Sequence, residues 1–228
     1  MSELDEKIIA ALERLAHVLK TLLWEEASAS RLSPIQIQTL IYLNSHAEEL
    51  CRVGQLAQEF SLTPATMSDA VAALEAKGLL TRTSCPEDRR VQTLRLTAQG
   101  RRQAQKLSHW SDALQEQLQN FSPEEKEQAL KFLLRLIESL YRAGIITVAR
   151  ICLTCRFFRP NVHRDSPAPH HCALMDKPLA ESDLRVDCPE HQTSSGPCAV
   201  PPKQKGLCKP ASAVRLFDQQ PDRAHTQQ

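Results

Sequence analysis

Leu4, Ile8, Leu12, Leu15, Leu19 and Leu22 recur every three or four residues. That spacing lines one face of a helix and predicts one over residues 3–27. Ser33-Pro34-Ile35-Gln36 opens a second helix, with a Ser cap, Pro in the first turn and Gln three residues after the cap. Ile35, Ile37, Leu40, Ile41 and Leu43 carry it to about Ser45. A short helix fits Val53 to Phe60. Thr63-Pro64 starts another, with Met67, Ala70, Val71 and Leu74 on its inner face, and Gly78 stops it. The period then changes. Residues 79–85 and 91–96 alternate as strands do, and Pro86-Glu87-Asp88-Arg89-Arg90 joins them into a β-hairpin with a charged tip. Thr97 opens a long helix to about Gln119, with Leu107, Trp110, Leu114 and Leu118 on one side. Ser122-Pro123-Glu124-Glu125 is a capping box. It begins a last helix carrying Leu130, Leu133, Leu134, Ile137 and Leu140 and ending near Gly144.

Composition divides the chain. Of its eight cysteines, Cys51 and Cys85 precede residue 148, while Cys152, Cys155, Cys172, Cys188, Cys198 and Cys208 follow it. Ten of the 14 prolines also follow it. The expected organisation is a mainly α body at 1–147, a small irregular cysteine-rich module at 148–192 and a disordered tail at 193–228. The tail is predicted from its Pro, Gln, Ser and Lys content and its lack of periodicity. The net charge of +1 excludes a polybasic protein, so nucleic-acid binding requires a local patch. With aromatics at 4%, a base-stacking platform is not expected. No run of about 18 apolar residues predicts a membrane span. The acidic N-terminus lacks the start of a signal peptide, which makes a bacterial cytoplasm the expected compartment.

The order helix, helix, short helix, helix, hairpin is that of an α+β winged helix-turn-helix. Residues 62–100 contain Leu74-Glu75-Ala76-Lys77-Gly78-Leu79, then Asp88-Arg89-Arg90, then Leu96-Thr97-Ala98-Gln99-Gly100. On these motifs the body from about residue 3 to 143 resembles the MarR family of bacterial transcription regulators. The resemblance implies a homodimer built from the first and last helices and a near-palindromic double-stranded DNA operator. It also implies a small-molecule effector as a possible partner. A recognition helix entering the major groove needs short hydrogen-bonding side chains, which Thr63, Thr66, Ser68 and Asp69 supply. The wing tip needs cations, which Arg89 and Arg90 supply. Thr63 is also expected to cap its helix. Many family members carry a basic residue where this chain has Asp69; an aspartate can instead accept from a cytosine amine.

Cys152-x2-Cys155 brings two thiols together, and Cys172 and Cys188 complete a set of four. His171 and His191 are alternative ligands. Tetrahedral Zn2+ could use Cys152, Cys155, Cys188 and His191, or the four cysteines. An iron–sulfur cluster would use Cys152, Cys155, Cys172 and Cys188. A segment of this size with little apolar bulk is expected to need a staple in order to fold. No Gly-rich phosphate loop, nucleophile elbow or HExxH motif is present, so an enzyme is not expected. Two readings remain: a regulator modulated by its metal centre, or a small-molecule-responsive repressor with a purely structural zinc.

Overall fold

The computed structural model describes residues 2–84 and 92–194. Helix α1 (Glu3–Ser30) begins with a reciprocal capping box between Ser2 and Asp5 and ends at Arg31, whose φ of 56° turns the chain. It buries only Leu23 and Ala27. Leu4, Ile9, Leu15, Val18, Leu19 and Trp24 remain exposed along its length. Helix α2 (Pro34–Ser45) carries the predicted Ser33–Gln36 capping box. Then come α3 (Val53–Glu59), α4 (Pro64–Ala76), the hairpin β1 (Leu80–Ser84) and β2 (Gln92–Leu96), and α5 (Ala98–Leu107). The hairpin is antiparallel, with Leu80 opposite Leu96 and Ser84 opposite Gln92.

These elements share one core. Ile37, Leu40, Leu56, Met67, Leu74, Leu94 and Leu107 are buried in it together with Leu23 and Ala27 from the end of α1. The Leu94 amide donates to the Cys51 carbonyl (2.7 Å), fastening the wing to the segment before α3. This winged head positions α4.

One predicted element is broken. Residues 97–119 do not form one helix: α5 stops at Leu107, a 3-10 turn spans Ser108–Ser111, and α6 (Asp112–Leu118) follows. The Ser108 hydroxyl donates to the Gln105 carbonyl (2.7 Å). The tighter turn lies against α1 and leaves Trp110 packed on the head's core. Because the turn shifts the helical phase, Leu118 no longer shares that face and is exposed.

Helix α7 (Pro123–Arg142) has the predicted Ser122–Glu125 capping box. Gly144, at φ 70°, turns the chain out of it. Its apolar residues do not form one free stripe. Leu134 is fully buried and, with Leu130 and Ile137, packs against Ile151, Cys152, Leu179 and Leu184 of the cysteine module. Leu133 and Phe132 stay exposed. The module is also more regular than expected. Strands β3 (Phe158–Arg159), β4 (His170–Cys172) and β5 (Lys177–Leu179) form an antiparallel sheet in that order. Short 3-10 turns at Cys152–Thr154 and Glu181–Asp183 pack on α7. Its folded part reaches past residue 192: Thr193 bridges to Cys155, and the Ser194 amide donates to the Thr154 carbonyl (3.1 Å). A second core shared with α7 therefore supplies apolar burial that the module's own sequence lacks.

Candidate DNA-reading face and cysteine module

Met67, Ala70, Val71 and Leu74 turn one side of α4 inward, as the spacing predicts. The opposite side presents Thr63, Ala65, Thr66 and Asp69 to solvent, with Ser68 half-buried beside them. Thr63 is the helix cap: its hydroxyl accepts from the Thr66 amide (3.1 Å) and lies 2.8 Å from the Thr66 hydroxyl. Both hydroxyls are thus partly engaged with each other at the helix N-terminus. The wing-tip arginines, Arg89 and Arg90, lie outside the described residues, as does Cys85.

The motifs around α4 turn out to be structural. Lys77 donates to the Arg31 carbonyl (2.9 Å) and to Gln36 Oε1 (3.3 Å), tying the end of α4 to the α1–α2 junction. Glu75 pairs with Arg82 of β1 (3.0 Å). The Thr97 hydroxyl donates to the Gly78 carbonyl (2.8 Å) and accepts from the Gly100 amide (3.0 Å). A Cβ at Gly100 would lie 1.8 Å from the Leu79 carbonyl oxygen, so only glycine lets α5 approach the wing this closely. Arg95, which sequence reasoning passed over, points from β2 to Glu48 (2.6 Å) and remains partly exposed.

Cys152, Cys155, Cys172 and Cys188 are free thiols within the module. Burial pushes the Cys152 thiol above its ordinary range, and the proximity of Cys188, Cys155 and Cys172 adds to that push. The Arg185 amide donates to Cys152 Sγ (3.2 Å), and the Arg185 guanidinium lies 3.6 Å from Cys188 Sγ. Cationic and N–H donors of this kind offset negative charge on sulfur. Among the described residues no three His, Cys, Asp or Glu side chains already stand close enough to grip an ion. The donor chemistry suits a thiolate-bound group, but ligand spacing is not preformed.

The two alternative ligands are engaged elsewhere. His191 Nε2 lies 2.9 Å from the Thr154 hydroxyl, which itself donates to the Ala149 carbonyl (2.6 Å). Burial holds His191 below the usual imidazole range. His171 Nδ1 lies 3.2 Å from His163 Nε2, and its Nε2 lies 3.3 Å from Asp176 Oδ1. Each histidine thus has at least one ring nitrogen engaged with a neighbour inside the module. Cys198 and Cys208 lie outside the described residues. Phe158 packs in the second core, whereas Phe157 sits under the Arg156 guanidinium at 5.1 Å. Sequence reasoning also missed the residues that dock the module on the head: Tyr42, His46, Glu59, Arg150 and Asp187. The available signals were weak. Tyr42 and His46 are one helical turn apart, and Arg150 and Asp187 flank cysteines.

Among the described residues, no helix is long and apolar enough to cross a membrane. Residues 32–91 match the family model described as MarR family. An uncharacterized HTH-type transcriptional regulator of Bacillus subtilis, YdgJ, is 30% identical over 105 residues, covering 46% of this chain. The match spans 62% of that relative's own length. A MarR family protein from Bacillus stearothermophilus is similar in structure, with a TM-score of 0.53 and 25% identity over 61% of this chain and 98% of the other. Staphylococcus aureus MepR in its DNA-binding conformation also has a TM-score of 0.53, at 24% identity, covering 58% of this chain and 98% of MepR. MepR in complex with DNA has a TM-score of 0.51 at the same 24% identity, over 57% and 96%; at that identity the likeness concerns the fold. The family so matched consists of transcriptional regulators, not enzymes. Residues 32–91, which match the MarR family model, include α4, with Met67, Ala70, Val71 and Leu74 buried beneath the exposed Thr63, Thr66 and Asp69, and in fold the head is similar to the winged helix-turn-helix of those structures.

Proposed function

We propose that this chain is a cytoplasmic, homodimeric DNA-binding transcriptional regulator whose activity is modulated by a metal centre in the cysteine module. The carrying observation is the exposed outer face at the N-terminus of α4, with short polar side chains above a fully packed inner face. A helix end of this kind suits base edges and phosphates in a major groove. Arg89 and Arg90 would contact the duplex backbone or minor groove from the wing tip. The long exposed apolar face of α1 supports self-association, since a monomer would leave it in water. Two recognition helices in a two-fold dimer would read a near-palindromic operator.

Cys152, Cys155, Cys172 and Cys188 would hold the metal centre, either Zn2+ or an iron–sulfur cluster. Bound there, Zn2+ would supply a fixed four-point crosslink, and a cluster would add one-electron redox chemistry. Arg185 would orient and partly neutralise the thiolates at Cys152 and Cys188.

The test measures metal, acid-labile sulfide and operator binding on the same anaerobically purified protein. Cys152→Ser and Cys188→Ser are expected to abolish stoichiometric metal and to change operator affinity at least about tenfold, or 1.4 kcal/mol. Metal lost with affinity intact would rule out modulation through this site. Arg89→Ala with Arg90→Ala is expected to weaken operator binding by about 1–3 kcal/mol and to reduce the salt slope by one or two contacts. An unchanged salt slope would remove the wing tip from the interface.

A further inference from the structure

We infer that Arg150 clamps the cysteine module onto the winged head and that the position of Cys188 is transmitted through this clamp to the helix-turn-helix. The transmission rests on the metal-modulated reading proposed above; the clamp itself does not require a metal.

Arg150 lies between α7 and Cys152, yet its side chain is only 12% exposed. Its guanidinium reaches three elements at once. Nε donates to Asp187 Oδ1 (2.7 Å), and Nη1 lies 2.8 Å from Oε2 of Glu59, the last residue of α3. The plane stands 5.5 Å over the Tyr42 ring of α2. Asp187 bridges in turn: its Oδ2 lies 2.6 Å from Nε2 of His46, the residue capping α2. Tyr42 and His46 stack face to face at 3.7 Å, which completes the receiving surface. One cation, two carboxylates and two rings therefore join the module to α2 and α3.

The module side of this clamp is attached to the cysteines. Asp187 precedes Cys188 in the chain, and the Cys188 amide donates to the Arg150 carbonyl (2.9 Å). Two residues before Asp187, the Arg185 amide donates to Cys152 Sγ (3.2 Å). The segment 185–188 is thus fastened to Cys152 at one end and to Arg150 at the other. Any displacement of the Cys188 main chain is carried to Asp187, which is bonded directly to it, and to Arg150 through the amide–carbonyl hydrogen bond. On the head side, α3 packs directly on α4, so a displaced Glu59 bears on the DNA-reading helix.

The chemistry distinguishes this cluster from ordinary surface pairing. Lys131–Glu181 (2.7 Å) also joins the module to the body, but its lysine is more than half exposed, and such pairs contribute little. A largely buried guanidinium held by two carboxylates is different, because removing one partner leaves the other charge without compensation. Loss of any one partner therefore weakens the whole contact, which lets a change at Asp187 be felt at Glu59 and Tyr42.

The test uses the full chain, with Arg150→Met, which keeps the aliphatic stem, and Arg150→Lys, which keeps the charge but loses the fork. Hydrogen exchange is followed in residues 42–60, with 98–107 of α5 as an internal control for general unfolding of the head. Operator affinity is measured for zinc- or iron-sulfide-loaded protein and for chelator-stripped protein. Arg150→Met is expected to speed exchange in 42–60 at least tenfold, leave the control segment within twofold and leave metal stoichiometry unchanged. It should also shrink the affinity ratio between loaded and stripped protein from at least tenfold to below twofold, with Arg150→Lys between the extremes. Unchanged exchange in 42–60, or an affinity ratio equal to the wild type's, overturns the inference. If the wild type binds no metal or is indifferent to it, the metal reading and the transmission fail together. The exchange data then decide the clamp alone: acceleration retains it and no change removes it.

Discussion

The winged head and the cysteine module obtain their structure in different ways. The head contains its own core: Ile37, Leu40, Met67, Leu74 and Leu107 come from helices that each bury a stripe against the others. The module has no such reserve. Its Ile151, Leu179 and Leu184 close around Leu134 of α7, and its outer edge rests on the head through Arg150 and Asp187. The head's core is built from its own helices, and the module depends on what it docks against. A conditional region is the better place for a signal, because a modest change in free energy can move it while the head stays folded.

The largest test of this contrast is Leu134→Ala. It should remove about 2–5 kcal/mol from the second core, because a fully buried leucine leaves a cavity there. Limited proteolysis should then cut within 150–192 while the head's thermal transition stays in place. A parallel loss of the head would show that the two cores are not independent. Gly100→Ala is the reciprocal change. Alanine would ordinarily favour a helix, but the Leu79 carbonyl leaves no room for its Cβ. Overpacking at this position should cost the head about 1–3 kcal/mol in a denaturant titration, with the module following because it docks on the head.

A smaller effect belongs to Thr63. Loss of its cap hydrogen bond in Thr63→Ala should lower head stability by about 1 kcal/mol, and Thr63→Ser should restore it. If Thr63→Ser restores stability without restoring operator affinity, the threonine methyl contributes to binding beyond the cap. Smallest in energy is a reactivity contrast. Burial pushes the Cys51 thiol up to about 11, so almost none of it is thiolate at pH 8. Iodoacetamide at that pH should leave Cys51 unmodified in the folded protein, and labelling should appear only as pH rises toward 11 or the head unfolds. Rapid labelling at pH 8, read by mass spectrometry, would mean that the head opens more readily than its buried core implies.

Legibility along the chain followed the range of the forces involved. The capping boxes at Ser33 and Ser122, the Thr63 cap and the inner face of α4 are visible because each depends on residues within one or two turns. The broken helix at Ser108–Ser111 was not visible. Its turn is held by packing on α1 and by Trp110 reaching the core, both distant in sequence.

The sequence by itself determined the winged head, the placement of the polar residues on the recognition helix and the grouping of four cysteines within one short segment. Local periodicity, capping and spacing carry that information. Only the tertiary structure decided that Leu134 faces the module and that His171 and His191 are occupied by His163, Asp176 and Thr154. It alone also decided that Arg150 and Asp187 join the module to Tyr42, His46 and Glu59. The contacts of Arg150 and Asp187 with Tyr42, His46 and Glu59 bring together residues 91 to 141 positions apart. A charged side chain in a sequence carries no mark of whether its partner will be water or a distant ring and carboxylate; burial settles that once the chain has folded.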